Sequence, residues 1–177
     1  MPRNVELKAK VVSLDSVLQA ARRLGATDEG VDEQVDRYYT VSADGRERVK
    51  LRTSSRKPAE LVTYRRPEDS TVRASEYAIT PVRNAAAQAC LVPPGQPIVV
   101  VRKKRHLLLL DNVRVHLDEV EELGTFVELE AVVGPAHDET DCHSQVHRIA
   151  AALGLREEDR LATSYSDLLL ARQERAL

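Results

Sequence analysis

The chain has 177 residues, 42% of them hydrophobic and 31% charged, a balance that fits a single domain over residues 1–177. Its formal net charge of -2 and its few aromatic residues argue against a nucleic-acid partner or an anionic membrane surface. No apolar run has transmembrane length and no signal peptide precedes Cys90 or Cys142, so we expect a cytoplasmic protein in which both cysteines are reduced structural thiols.

The N-terminal segment predicts a strand followed by an amphipathic helix. Polar and apolar residues alternate over residues 1–12, which is the period of a strand with one buried face. The polar face of this strand consists of Asn4, Glu6, Lys8 and Lys10. Ser13 is placed to cap the helix and Gly25 to end it, and the apolar stripe between them needs a surface to cover.

The central part of the chain predicts four short strands joined by turns. These strands cover residues 35–41, 46–53, 59–66 and 72–80, with a hairpin turn at Asp44-Gly45. In the second of them cations occupy every other position, at Arg46, Arg48, Lys50 and Arg52. The facing of the last strand is ambiguous, because Arg73 and Glu76 have opposite parity. A short helix is expected over residues 81–91.

A long hairpin follows, in which charged residues again recur at every second position. Residues 98–110 form the clearest strand, with Lys103 and Arg105 on one face. The next two strands, joined by a turn at Leu123-Gly124, place one alternating set of side chains on a common surface: Arg114, His116, Asp118, Glu128 and Glu130. Two helices are predicted after this hairpin, one capped by Thr140 or Asp141 and the other over residues 164–172.

Charge on one face of most of about eight strands does not fit a sandwich whose inner faces meet in an apolar core. The apolar faces must instead look outward, towards the helices. An antiparallel eight-stranded barrel, closed or nearly closed, with a polar lumen and helices packed outside, satisfies this pattern. The predicted fold class is therefore α+β, mainly β.

The charges gathered in such a lumen predict an anion and a divalent cation. Two like charges about 4 Å apart repel by roughly 4 kcal/mol at an effective dielectric of about 20, unless a counter-ion neutralises them. A polyphosphate suits a cluster of several Lys and Arg side chains. The neighbouring carboxylates suit Mg²⁺ or Mn²⁺, which prefer oxygen ligands. A solvated sheet face explains one such strand, but not most of them.

A series of short motifs runs through nearly the whole chain. In order they are Asn4-Val5-Glu6-Leu7-Lys8, Asp36-Arg37-Tyr38-Tyr39, Val49-Lys50-Leu51-Arg52, Thr63-Tyr64-Arg65-Arg66-Pro67, Lys103-Lys104-Arg105, Arg114-x-His116-x-Asp118, Leu123-Gly124-x-Phe126-x-Glu128-x-Glu130 and Ser164-Tyr165-x-Asp167-Leu168-Leu169. Together they resemble the CYTH superfamily, which includes class IV adenylate cyclases, thiamine triphosphatases and inorganic triphosphatases built as triphosphate tunnel barrels.

The resemblance implies a role for each matching residue. The implied metal ligands are Glu6, Asp118, Glu128 and Glu130. The residues implied to hold the triphosphate are Lys8, Lys10, Lys50, Arg52, Arg65, Lys103, Arg105 and Arg114. Tyr38 and Arg65 stand where thiamine triphosphatase-like members are proposed to activate water. His116 is left open between a phosphate contact, a proton shuttle and a structural partner of Asp118.

Two departures from the family pattern bear on the chemistry. Asn4 replaces the first glutamate of the signature, which removes one negative charge and puts a second metal ion in question. Arg65 stands where the family usually has a lysine. Arginine stays protonated at any relevant pH and is therefore a poor partner for a base.

Three functions are compatible with this set of residues. The first is metal-dependent hydrolysis of an organic or nucleoside triphosphate. The second is the class IV adenylate cyclase reaction, which makes cyclic AMP and pyrophosphate from ATP. The third is nucleotide or polyphosphate binding without turnover, which Asn4 favours. In each case the expected partner is a small-molecule triphosphate (a nucleotide, thiamine triphosphate or inorganic tripolyphosphate), and the chain is a monomer or homodimer.

Overall fold

The computed structural model describes residues 3–40, 47–65, 72–82 and 95–175. The predicted Asp44-Gly45 turn, Cys90 and most of the helix predicted over residues 81–91 lie outside these ranges. The strands are β1 (Arg3–Lys10), β2 (Thr27–Thr40), β3 (Glu47–Ser54), β4 (Glu60–Arg65), β5 (Val72–Pro81), β6 (Val99–Leu110), β7 (Val113–Val120) and β8 (Gly124–Val133). The helices are α1 (Leu14–Arg23), α2 (Glu139–Ala152) and α3 (Tyr165–Glu174), with a 3-10 turn at Glu157–Asp159. Within the described ranges, no helix has both the length and the apolar character needed to cross a membrane.

The strands form a closed antiparallel barrel in the order β1-β5-β4-β3-β2-β6-β7-β8. β1 closes the barrel by pairing with β5 on one side and with β8 on the other, so that Leu7 lies opposite both Val72 and Leu129. The two strands of the long hairpin, β7 and β8, place Arg114 opposite Glu130. The predicted mainly-β barrel is confirmed.

The largest apolar core lies outside the barrel wall, between the sheet and helices α1 and α2. Alternate residues of β1, β7 and β8, among them Leu7, Val115 and Leu129, are buried in one cluster. The helices contribute Val17, Ala20, Ala21, Val146, Ile149 and Ala150 to the same cluster. Removing these faces from water is what attaches the helices to the barrel. The expectation that the apolar strand faces look outward is correct for these strands.

Local capping signals explain where the helices begin and end. Ser13 caps α1 by accepting a hydrogen bond from the Ser16 amide, and Gly25 follows the helix with a φ of +85°, as the sequence predicts. The cap of α2 is Asp138, not Thr140 or Asp141. Asp138 and Asp141 form a reciprocal capping box, and several cap-forming residues in a row hid this choice from the sequence pattern.

β2 is longer than its sequence indicates. The strand predicted over residues 35–41 begins at Thr27, in a polar segment with little intrinsic preference for a strand. Pairing with β6 as far as Leu109 satisfies the main-chain groups of this segment and overrides the local preference. Gly30, with a φ of +87°, lies at a bulge in this pairing, and a β-carbon there would lie 2.7 Å from Arg56 Nη1.

Helix α3 packs across one end of the lumen. Tyr165 and Leu169 are both 4% exposed and cluster with buried strand residues. Those strand residues are Tyr38, Val99, Val101, Val120 and Phe126. Val101 alternates with Lys103 and Phe126 with Glu128, so these apolar positions belong to the inward-facing set. We call this inward-facing cluster of α3 and strand residues the apolar plug, and the charged part of the lumen begins beyond it.

Candidate active site

A single buried carboxylate, Asp36 of β2, gathers three cations. Arg52 of β3 donates two hydrogen bonds to its oxygens, at 2.7 and 2.8 Å. Lys103 Nζ of β6 lies 3.2 Å from Asp36 Oδ2 and Lys50 Nζ lies 3.6 Å from it. The pairing of Asp36 with Arg52 in β3 and with Val101 in β6 produces this arrangement. Burial alone raises the pKa of Asp36, but the charges of Lys103, Lys50 and Arg52 outweigh it and hold the pKa well below its usual value.

One carboxylate does not neutralise three cations, and the pKa values of the two lysines are lowered. Burial, followed by the charge of Arg105, lowers the pKa of Lys103 to about 7. Burial and the charge of Arg52 likewise lower the pKa of Lys50. Both ammonium groups are therefore less stable in the folded protein than in water, and an anion placed beside them would restore their charge.

Arg105 of β6 is fixed in a second buried network. It donates to both oxygens of Asp118, at 2.7 and 2.6 Å, and to Glu128 Oε2 at 2.7 Å. Tyr165 of α3 donates its hydroxyl to Asp118 Oδ2 at 2.8 Å. Burial raises the pKa of Asp118, but Arg105 outweighs it, so the net shift is downward. With no exposed surface, Asp118 serves here as the anchor of Arg105.

The two lysines of β1 occupy different environments. Lys8 is 7% exposed, with its Nζ 3.5 Å from Glu128 Oε1 and 4.2 Å from the centre of the Tyr165 ring. Lys10 is exposed, and its Nζ lies 5.8 Å from the centre of the Phe126 ring. Lys8 thus joins the Arg105 network, whereas Lys10 lies towards the end that α3 covers.

Glu128 and Glu130 of β8 form a cluster with His116 of β7. One ligand atom from each of the three residues lies within 4.8 Å of the others, a spacing that can hold a metal ion. Burial raises the pKa of Glu128, but the charge of Lys8 and the contacts with His116 and Arg105 hold it well below its usual value. Arg114 Nη1 lies 3.5 Å from Glu130 Oε2 with 41% of its side chain exposed, and Glu6 is paired with Glu130 across β1 and β8.

The remaining predicted residues lie apart from this cluster. Tyr38 is 6% exposed in the apolar plug, with Lys50 Nζ 5.8 Å from its ring centre. Asn4 is 2% exposed and paired with Val132 of β8. Arg65 is the last residue of β4 and is paired with Glu47, whereas Lys50 is paired with Val62. Positions 65 and 62 have opposite parity in the strand. The register therefore does not bring position 65 into the row of Lys50, and its side chain lies outside the described part of the chain.

Sequence reasoning missed three members of this site. Asp36 was visible only as part of a motif, and nothing local showed that its carboxylate would gather three cations. Tyr165 reaches Asp118 from a helix at the far end of the chain, which no spacing predicts. The sequence leaves the role of His116 open, although alternation with Asp118 puts it on the face that carries Glu128 and Glu130.

The structure is thus a closed eight-stranded barrel that holds inward-facing cations and a carboxylate cluster. A family model described as the CYTH domain matches residues 2–165, and the chain belongs to this family. The resemblance read from the motifs is thereby confirmed.

Individual relatives match the chain over almost its whole length. A protein of Methanocaldococcus jannaschii named "Putative adenylate cyclase MJ0240" is 24% identical over 93% of this chain and 97% of its own. The structure of the PH1012 protein of Pyrococcus horikoshii OT3 superposes with a TM-score of 0.80 at 22% identity, covering 93% and 98% of the two chains. A Hippeastrum structure, titled "Putative adenylyl cyclase HpAC1" with a dominant triphosphatase activity, has a TM-score of 0.64 at 12% identity and covers 96% of each chain.

Proposed function

We propose that this chain is a metal-dependent hydrolase that binds an organic or nucleoside triphosphate in the barrel lumen and releases orthophosphate. The observation that carries the proposal is the crowding of Lys50, Arg52 and Lys103 on the carboxylate of Asp36. This cluster retains positive charge that a polyphosphate neutralises, with charge-assisted hydrogen bonds to several of its oxygens. The carboxylates of Glu128 and Glu130 lie in the same lumen, and Glu128 contacts the cations Arg105 and Lys8.

In this proposal the cations bind and orient the phosphates. The predicted phosphate-binding set is Lys8, Lys10, Lys50, Arg52, Arg65, Lys103, Arg105 and Arg114. Because the register does not bring position 65 into the row of Lys50, the proposal rests on the other seven. Arg105 contributes a guanidinium already fixed by Asp118, so little of its side-chain freedom is lost when substrate binds. The register supports Lys50, Arg52, Lys103 and Arg105 as neighbours, whereas Lys10 and Arg114 lie towards opposite ends of the lumen.

The cluster of His116, Glu128 and Glu130 fits a divalent cation, with Glu6 on the neighbouring strand. A Mg²⁺ or Mn²⁺ ion held there, with Glu6, Glu128 and Glu130 among its ligands, would supply neutralisation of the charge that develops on the phosphates. Asp118 belongs to the predicted ligand set, but both of its oxygens accept hydrogen bonds from Arg105. We therefore give Asp118 a positioning role first.

The reaction is an in-line displacement at the terminal phosphorus. Water attacks, the bond from phosphorus to the bridging oxygen breaks, and orthophosphate, the diphosphate and one proton are released. Positive charge from Lys and Arg side chains stabilises the equatorial and leaving oxygens in the transition state. The sequence predicts Tyr38 and Arg65 as the pair that activates the water, although Tyr38 lies in the plug beside Lys50 and position 65 lies outside the row of Lys50.

The cyclase reaction is the second candidate. It is favoured by the relative named as an adenylate cyclase, which matches nearly the whole chain, and by the Asn-Val-Glu-Leu-Lys start of β1. In that reaction the ribose 3′-hydroxyl attacks the α-phosphorus and pyrophosphate leaves. The Hippeastrum protein bears a cyclase name but is described with a dominant triphosphatase activity, so a cyclase name in this family does not exclude hydrolysis.

Product analysis separates these functions. Purified protein is incubated with Mg²⁺ or Mn²⁺ and, separately, with ATP, GTP, thiamine triphosphate and tripolyphosphate, and the products are resolved by chromatography. Hydrolysis predicts orthophosphate without a cyclic nucleotide. Cyclic AMP with pyrophosphate would establish the cyclase, and a rise in melting temperature with no turnover would establish the binding protein, which Asn4 favours.

A further inference from the structure

His116 has a buried ring nitrogen without a hydrogen-bond partner. The residue is 5% exposed, and its Nδ1 atom is fully enclosed with no partner within hydrogen-bonding distance. Leaving a polar atom buried and unpaired is costly, so such an atom calls for a ligand. Because His116 is paired with Glu128 of β8, the two side chains lie on the same face of the sheet.

The distances around Nδ1 fit a shared ion better than a hydrogen bond. Nδ1 lies 3.7 Å from Glu128 Oε2 and 3.8 Å from Glu130 Oε1, beyond the usual length of a hydrogen bond. Two atoms that each lie about 2.1 Å from one metal ion are about 3.4 Å apart in tetrahedral geometry and about 4.2 Å apart on opposite sides of the ion. Both measured separations fall between these values.

The surroundings keep Glu128 from simply closing on the imidazole. Arg105 donates to Glu128 Oε2 at 2.7 Å, and Lys8 Nζ lies 3.5 Å from Oε1, so the carboxylate is held from two sides. Glu130 is 17% exposed and Glu128 14%, which leaves the cluster accessible from the lumen. Two carboxylates and an imidazole are thus held apart around a common point.

We propose that His116 is a nitrogen ligand, with Glu128 and Glu130, of the divalent ion in this lumen, and that the site prefers a first-row transition ion to Mg²⁺. Mg²⁺ takes oxygen ligands almost exclusively, whereas imidazole suits transition ions. Because it names the ion of the same site, this inference rests on the proposed function. It gives His116 a role that is none of the three the sequence leaves open, which are a phosphate contact, a proton shuttle and a structural partner of Asp118.

The experiment uses Mn²⁺ as the probe, added to the full chain with and without tripolyphosphate. Pulsed electron paramagnetic resonance detects the coupling of a directly bound ¹⁴N nucleus, which carboxylate and phosphate oxygens cannot produce. We expect this coupling in the wild type and its loss in His116→Gln, with Mn²⁺ affinity reduced at least about tenfold by titration calorimetry. His106→Gln is the matched control. His106 lies on the face of β6 opposite to Arg105, and its Nε2 atom contacts Asp28 Oδ1. This control variant retains the coupling.

A second variant keeps the test independent of folding. His116→Asp offers an oxygen in place of the nitrogen, so it binds Mn²⁺ without the nitrogen coupling and gains relative affinity for Mg²⁺. Absence of nitrogen coupling in the wild type, with and without tripolyphosphate, overturns the inference. Triphosphate turnover with an ion bound by oxygen alone refutes this inference and leaves the proposed function standing. Nitrogen coupling in a protein that turns over no triphosphate supports this inference and refutes the proposed function.

Discussion

Asp36 is the residue on which the charge balance of the lumen depends, because Lys50, Arg52 and Lys103 all lie within ion-pair distance of its carboxylate. Asp36→Asn removes the countercharge and leaves these cations buried together. We expect the free energy of unfolding to fall by about 3–5 kcal/mol, the usual cost of breaking a buried ion pair from one side. Urea denaturation monitored by circular dichroism measures this change.

The control for Asp36 is another aspartate of the same strand. Asp32 is only partly buried and accepts hydrogen bonds from Ser54, Ser55 and Gln34. Asp32→Asn should cost less, about 1.5–3 kcal/mol, which is the range for hydrogen bonds to a charged group. Equal losses for the two variants would show that the cation cluster does not depend on Asp36. Partial recovery of Asp36→Asn by tripolyphosphate is expected, because the anion replaces the lost charge.

Lys103 makes anion binding depend on pH. Its pKa is lowered to about 7 chiefly by burial, so a bound polyphosphate raises this pKa and the complex takes up a proton at and above neutral pH. Tripolyphosphate affinity should therefore fall as the pH rises through about 7. Calorimetry in two buffers of different ionisation enthalpy measures the uptake. In Lys103→Arg, which stays charged, the uptake should shrink to the contribution of the ligand itself.

The same shift has a defined sign for stability without ligand. A lysine whose folded pKa lies below its unfolded value of 10.5 binds fewer protons when folded. The folded chain therefore gains stability as the pH rises from about 7 towards 10.5, and the penalty is complete below 7. A free energy of unfolding that falls over this interval in the wild type but not in Lys103→Arg would contradict the burial of a strained ammonium group.

Two substitutions test the placement of the proposed chemistry. Glu130→Gln removes a metal-binding charge and Arg105→Ala removes the most highly coordinated cation, and each should lower turnover below detection. The matched controls are Glu119→Gln on β7 and Arg102→Ala on β6, whose side chains are exposed and alternate with the inward-facing set. Product release measured with the active substrate gives the comparison. Unchanged rates in both site variants would refute the tunnel assignment.

The sequence predicted this set of residues because the chemistry follows strand alternation. Every second residue of β3, β6, β7 and β8 shares a face, and Lys50, Arg105 and Glu128 were found in that way. What alternation does not give is the partner of each charge. Asp118 is predicted as a metal ligand, whereas its contacts here are with Arg105 and Tyr165. The first is a cross-strand pair of β6 and β7, and the second depends on how α3 packs against the barrel.

At the scale of elements, α3 acts through Tyr165. The ring packs against Phe126, with 5.1 Å between ring centres, and the hydroxyl donates to Asp118. Tyr165→Phe keeps the plug but removes the hydrogen bond to the carboxylate that anchors Arg105. We expect a loss of about 1.5–3 kcal/mol in unfolding free energy, the range for hydrogen bonds to charged groups, with α3 still in place. Thermal denaturation measures the loss, and an unchanged melting temperature would contradict it.

The elements also differ in how far local sequence determines them. α1 has a capping serine, an apolar stripe and a terminal glycine, and its prediction was close to its final bounds. The first half of β2 has only Thr27 and Val31 among the residues that favour strands, and its conformation depends on pairing with β6. Such tertiary pairing cannot be read from a local pattern, since both partners must already be aligned.

The whole molecule carries a net charge of -2, yet the lumen concentrates cations. Anion binding should therefore be local and dependent on the number of phosphates. We expect the melting temperature to rise in the order orthophosphate, pyrophosphate and tripolyphosphate, with about 2.7 kcal/mol of added stability at a hundredfold excess over Kd. Scanning fluorimetry measures the shifts in melting temperature. Arg52→Ala, which removes a cation of the lumen, should reduce these shifts, and Lys104→Ala on the outer face is its control. Equal shifts for the three anions would indicate general screening.

Closure of the barrel through β1 also has a consequence for folding. β1 precedes the other seven strands of the barrel in the chain, but Leu7 pairs with Val72 of β5 on one side and with Leu129 of β8 on the other. Until β8 has been made, the apolar face of β1 has no permanent cover, and both pairings close long loops. Contacts so distant in sequence slow folding, so formation of the β1–β8 seam is expected to limit the rate at which the protein matures.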